Sequence, residues 1–253
     1  MRHYLHLLLH EIRVMLFAPA TYAASTLFLL LMGYVFYSIL QDNSTSEQEV
    51  IPLEQFFRAF SLPVLFMVPL LTMRSLAEER RLGTLETLMT TPVSTVEIVL
   101  AKFSAAYFFY LLLWAVALGF PILADRVLDR GDLTPLFLDQ GVLIGGYIYV
   151  GLSGLLFIAT GLLCSGLTRS QLVAAMLTFS LLLIFIVVLP ALREQADAFN
   201  GWLRFPLQYF EVTSHLEDFA RGIVDTRPVA YYLLNTSVVL GLATLIVEAR
   251  GTR

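Results

Sequence analysis

The chain predicts an all-α integral membrane protein. It should have six transmembrane helices, an N-terminal amphipathic helix in the membrane interface, and short outer helices between spans five and six. Three observations carry this. Only 14% of its 253 residues are charged, against about a quarter in ordinary globular domains. The apolar residues fall in runs of roughly 20, the length that crosses about 30 Å of hydrocarbon; these runs cover 20–41, 55–75, 98–123, 141–166, 171–191 and 229–247. The polar residues collect between the runs, above all in the island 74–102. Six crossings leave no room for a separate soluble domain, so 1–253 is expected to be one unit.

Residues 2–17 superficially resemble a signal peptide, with Ala18-Pro19-Ala20 as a small-x-small site, but the apolar run is too broken. His3, His6, His10 and Arg13 recur at helical spacing, with Leu5, Leu8, Leu9, Ile12, Met15 and Leu16 on the other side. That pattern suits a helix lying in the interface plane, its histidines on a solvated face rather than ligating a metal. Pro19 ends it. The second run contains Pro63 and Pro69, which remove backbone hydrogen bonds; kinks of this kind are tolerated where neighbours re-satisfy the freed carbonyls, and they fit either a helix bordering a pathway or a packing irregularity. The segment 76–97 follows. A helix continuing past Arg74 should stop near Gly83, a short helix should cover 84–89, and Thr91-Pro92 should turn. Ser94 with Glu97 three residues on makes a capping box that launches the third span. Of the charges here, Glu78, Glu79, Arg80 and Arg81 can pair locally or with a partner.

The fourth run is rich in glycine: Gly141, Gly145, Gly146, Gly151, Gly154, Gly161 and Gly166. Small residues let helix backbones approach closely, which serves internal packing and a dimer seam equally well. Cys164, the only cysteine, excludes an intrachain disulfide and a cysteine-rich metal site; among apolar neighbours it reads as an inert core thiol. Between 193 and 227 lies an outer helical segment. Phe210, Leu216, Phe219, Ala220 and Ile223 form its apolar stripe, and Gly222 is a helix stop. Pro228 opens the last span.

With the N-terminus inside, the inner segments hold Arg2, Arg13, Arg74, Arg80, Arg81, Lys102, Arg169, Arg250 and Arg253. The first outer loop, 41–53, has neither Lys nor Arg, so the positive-inside rule places both termini in the cytoplasm.

Several classes of chemistry find little support. Gly151-Leu152-Ser153-Gly154 imitates the serine motif of rhomboid-type intramembrane proteases, yet a serine nucleophile needs a base within hydrogen-bond reach. The histidines, His3, His6, His10 and His215, all fall outside the spans. Ion-coupled transport generally places a titratable group deep in the membrane, and no Asp, Glu, Lys or His stands mid-span. A phosphate-cradling Gly-x-x-x-x-Gly-Lys-Ser/Thr loop is also missing. What remains is a membrane device worked from outside through its polar island.

The run Glu78-Glu79-Arg80-Arg81-x-Gly83-Thr84-Leu85-Glu86, followed by Thr91-Pro92-Val93-Ser94, resembles the signature of membrane (permease) subunits of exporter-class, type two ABC transporters. The gliding-motility-type permeases are the nearest group. A second stretch, His215-Leu216-x-Asp218-Phe219-Ala220-Arg221-Gly222-Ile223-Val224-Asp225-Thr226-Arg227, resembles the same group, so the likeness spans essentially the whole chain. It implies a permease that docks on a separate ABC ATP-binding subunit, where ATP is bound. No cofactor, metal or catalytic residue is expected in this chain, and nucleic acid is not a partner.

The resemblance further implies a coupling helix at 83–94 within the cytoplasmic segment 76–97. Docking residues would be Glu78, Glu79, Arg80, Arg81, Gly83, Thr84, Glu86, Pro92, Ser94 and Glu97. The interfacial helix 2–17 would lie nearby. An outer cap at 201–222 would carry His215, Asp218, Phe219, Arg221, Gly222 and Asp225 as the family motif. The setting would be a bacterial inner membrane, as a homodimer or a heterodimer with a second permease. A non-transporting scaffold or regulatory subunit of an ATPase complex is the alternative, with intramembrane proteolysis a distant third.

Overall fold

The computed structural model describes residues 2–45, 52–84, 93–128, 139–194, 219 and 226–251. Within them the chain is helical, in this order: α1 (Arg2–Phe17), α2 (Pro19–Thr45), α3 (Pro52–Arg58), α4 (Ser61–Thr72), α5 (Ala77–Leu82), α6 (Thr95–Ala117), α7 (Gly119–Leu128), α8 (Gln140–Leu167), α9 (Gln171–Leu183), a π-helical turn Ile184–Val188, α10 (Leu189–Glu194) and α11 (Thr226–Gly251). Among the described residues six stretches are long and apolar enough to cross a membrane: Pro19–Asp42, Ser61–Leu82, Thr95–Arg126, Gln140–Leu167, Gln171–Leu192 and Thr226–Ala249. The protein is an all-α, multi-pass membrane protein.

Helix α8 forms the centre, packed by α11, α4, α6 and α9, while α2 lies against α4 and α1 runs along α6. Its glycines explain the position. A Cβ at Gly146 would sit 2.5 Å from the Phe57 ring, and one at Gly161 would collide with the Thr72 hydroxyl. At Gly154 it would meet the Tyr110 ring, and at Gly145 the Phe219 carbonyl. The close approaches fall inside the protomer, so these glycines are committed to internal packing. The peripheral α2, α9 and α11 instead turn Leu30, Tyr34, Met176, Leu234 and Leu245 outward, as suits surfaces solvated by lipid.

Aromatic rings fill the remaining core. Trp114 on α6 meets the edge of Phe28 at 5.4 Å and stacks on Phe57 at 6.5 Å. Phe219 is fully buried, its ring 6.2 Å from that of Tyr149. This residue of the expected outer motif therefore dips into the bundle. The rest of that motif (His215, Asp218, Arg221, Gly222 and Asp225) lies outside the described residues, as do 85–92 with Glu86, Pro92 and nearly all of the short helix expected over 84–89.

The second span departs from a single kinked helix over 55–75. It is three helices, α3, α4 and α5, separated at residues 59–60 and 73–76. Pro63 accounts for the first break, because it lacks the N–H that would bond the Ala59 carbonyl and its ring crowds that carbonyl. Pro121 acts alike in the third span, where α6 gives way to α7 at Leu118. The second break has a different cause, described below.

The N-terminal helix also differs in detail from the expected two-sided pattern. Leu8, Ile12 and Met15 pack inward, but Leu5, Leu9 and Leu16 are exposed, and the buried face includes an acid, Glu11. Tyr4 on the same face donates its hydroxyl proton to Ser104 at 2.9 Å.

Candidate functional site

The polar island is built on α5. Helix α5 ends where expected: Gly83 takes φ 73° as a left-handed cap, its N–H bonded to the Glu79 carbonyl, and the Thr84 hydroxyl reaches that same carbonyl at 3.3 Å. Glycine is favoured there because a Cβ resists this conformation. Within the stem, Arg74 grips Glu78 through two hydrogen bonds of 2.7 and 2.9 Å, and Arg81 lies 3.8 Å from one of the same carboxylate oxygens. So two of the charges assigned to docking, Glu78 and Arg81, are engaged with neighbours one helical turn away.

At the far side of the loop the capping box is present. The Glu97 N–H bonds the Ser94 hydroxyl oxygen at 3.3 Å, and the Ser94 N–H bonds the Glu97 carboxylate at 3.1 Å. Two otherwise orphan donors are satisfied reciprocally, which fixes the angle at which the loop enters α6.

Glu79 points the other way, into the protein. Its carboxylate receives the Lys102 ammonium at 2.6 Å, and that ammonium also donates to Glu11 of α1 at 2.7 Å. Lys102 is only 4% exposed, yet it stands in the third span. One buried cation therefore joins the interfacial helix, the loop stem and the third span. The second Glu79 oxygen is buried without a hydrogen-bond partner among the described residues, and the triad sets two carboxyl groups against one cation. Isolated charges in such a place are costly, and pairing with hydrogen bonding is what makes them tolerable.

The triad was not legible in the sequence as a unit. Lys102 looked like the edge of the island, and Glu11 went unremarked between His10 and Ile12. The available signal was an acid sharing a helical face with Tyr4, Leu8 and Met15. A cleft of about 220 Å³ opens beside the triad, lined by His10, Arg74, Ser75 and Glu78 with apolar Met15 and Leu71.

The stem has a second attachment, to α8. Ser165 is fully buried and accepts from the N–H groups of Leu76 and Ala77, both at 3.0 Å, while donating to the Met73 carbonyl at 3.2 Å. Arg80 in return donates to the carbonyls of Gly166 and Thr168, the latter at 3.4 Å.

The serine of the protease-like motif does something different. Ser153 is fully buried and gives its proton to the helix carbonyls of Tyr149 and Val150 at 2.8 and 3.3 Å. Its neighbour Gly154 admits the Tyr110 ring. These are packing roles. Among the described residues no group of three or more His, Cys, Asp or Glu could hold a metal ion.

Six candidate membrane-spanning helices among the described residues, with a loop stem keyed to three neighbouring elements, define a polytopic membrane protein. Residues 40–214 match the model of the ABC-2 family transporter proteins, and the chain belongs to that family. It is an ABC transporter permease subunit. No curated protein matches the chain closely enough to count as a relative.

Proposed function

We propose that this permease is moved by a separate ATP-binding subunit that docks on the loop 83–94, in an exporter of the gliding-motility-type group. Glu86, Pro92, Gly83, Thr84 and Ser94 belong to the docking surface. Glu78, Glu79, Arg80, Arg81 and Glu97 hold that surface at a fixed angle. The setting is a bacterial inner membrane with both termini in the cytoplasm, and ATP binds the partner, not this chain. Two permeases, identical or different, enclose the pathway, and the outer segment 201–222 caps its exit. The chain 1–253 works as one domain.

The observation that best supports this reading is the Glu79–Lys102–Glu11 triad. A loop that merely joined two helices would need no buried ions tying it to the interfacial helix and the third span. A loop that transmits force does, because a slack joint would dissipate a displacement of the docked subunit.

The test is affinity capture of the native protein with identification of its partners, followed by Glu86→Lys. An ATP-binding subunit should co-purify with the wild type. The reversed charge should weaken that association while leaving the permease in the membrane. Capture of no ATPase, or unchanged association and transport in Glu86→Lys, would defeat the docking assignment.

A further inference from the structure

Helix α5 starts without a cap of its own. Its first N–H groups have no intrahelical acceptor, and the residue at the cap position, Leu76, has no side-chain oxygen to offer. The oxygen comes from another helix: Ser165 accepts from Leu76 and Ala77. The same hydroxyl donates to the carbonyl of Met73, the residue that ends α4. A serine hydroxyl has one donor and two acceptor sites, so all three are used. This explains the break at 73–76: the buried ends of α4 and α5 are both satisfied by one side chain of α8.

The favour is returned at the other helix. Helix α8 runs to Leu167 with Thr168 as its cap, and its last carbonyls carry the negative end of the helix dipole. The guanidinium of Arg80 sits on two of these, at Gly166 and Thr168. Gly166 also packs closely on Leu76, whose terminal methyl would lie 3.3 Å from a Cβ there.

We infer that Ser165 and Arg80 are positioning residues that lock the loop stem to the end of the fourth span, so that α5 and α8 move as one body when the loop is displaced. The third span, by contrast, holds the stem through the Lys102 ion contact. The fourth span, at the centre of the bundle, is thus the limb that carries a displacement of the loop inward. This rests on the proposed docking only for what drives the motion; the reciprocal capping is measurable on the permease alone.

The test uses the full-length protein in lipid nanodiscs. Hydrogen exchange of the Leu76 and Ala77 amides should accelerate ten- to a hundred-fold in Ser165→Ala, with α6 amides unchanged; wild-type rates there would overturn the inference. If that variant does not fold, Arg80→Gln decides, since Arg80 is only partly buried. Spin labels at Leu82→Cys and Leu167→Cys, in a Cys164→Ala background, occupy positions 62% and 41% exposed. Their separation should be narrowly distributed in the parent and broad in Arg80→Gln; equal widths would overturn the inference. With the ATP-binding subunit added, nucleotide should leave this separation unchanged in the parent and alter it in Arg80→Gln. A nucleotide-dependent separation in the parent would refute the single body. Failure of the partner to bind at all would refute the docking reading, while the partner-free arms still decide the clamp.

Discussion

Replacing Lys102 with Met should damage the protein far more than the loss of one side chain's packing. The two carboxylate oxygens bonded to one ammonium at 2.7 and 2.6 Å lie no more than about 5 Å apart, a repulsion of roughly 3 kcal/mol at an effective dielectric near 20. Removing the cation turns a bridged pair into that unrelieved repulsion. Both acids then stand in surroundings that Glu11, at 9% exposed, cannot leave without moving α1. Breaking a buried pair on one side typically costs about 3–5 kcal/mol, and Lys102→Met should fall in this range. The triple variant Glu11→Gln, Glu79→Gln, Lys102→Met removes the charges together and should recover most of the loss, because neutral replacement of a whole buried ion cluster is often harmless. Thermal unfolding of the purified protein ranks the variants. If Lys102→Met unfolds at the wild-type temperature, or the triple variant is no better than the single one, the triad is not the buried structural unit described.

Three further outcomes follow from particular contacts. Ser94→Ala removes the hydroxyl from the capping box and should cost about 1 kcal/mol, seen as lower thermal stability with faster amide exchange confined to the start of α6. Gly161→Ala drives a Cβ into the Thr72 hydroxyl, which already bonds the Val68 carbonyl; overpacking of this kind costs roughly 1–3 kcal/mol and should lower the unfolding temperature. Ser153→Ala should leave both stability and transport near wild type, since its hydroxyl serves helix carbonyls; a proteolytic activity lost in that variant would contradict the packing role.

The spans could be found from sequence because crossing a membrane imposes a length and a composition, and both are written directly in the residues. Gly83 and Ser94-x-x-Glu97 were legible for a similar reason: each acts on backbone within a few residues of itself. The glycines of α8 were visible, but not what they met, because Phe57, Tyr110 and Thr72 come from other helices. Ser165 gave no signal at all. It sits in a run of small residues, and its task belongs to a helix that begins 88 positions away. Lys102 was placed where the island meets the third span, but its burial was not foreseen, because Glu11, which meets it, comes from α1. The segmented second span shows the limit of the proline argument. Pro63 accounts for one break, whereas the other depends on a cap from elsewhere.

The stem is thus held firmly at its beginning, by Ser165, and along its length, by Lys102 and Arg74, whereas no described residue crowds its end at Gly83. Among the described residues nothing lies within 4 Å of where a Cβ would stand on Gly83, so their sterics do not dictate glycine there. Its left-handed backbone does. Two substitutions separate these causes. Gly83→Ala should cost about 1–2 kcal/mol if the left-handed turn is kept, and otherwise the loop should leave the stem in a new direction. Gly83→Asn, a residue that tolerates this conformation, should remain close to wild type in stability and in association with the ATP-binding subunit. If the direction of the loop matters for docking, alanine should weaken that association and asparagine should not, although asparagine is the larger side chain. Equal behaviour of the two variants would mean that the joint at Gly83 does not aim the loop, and the rigid stem would then have no fixed surface to present.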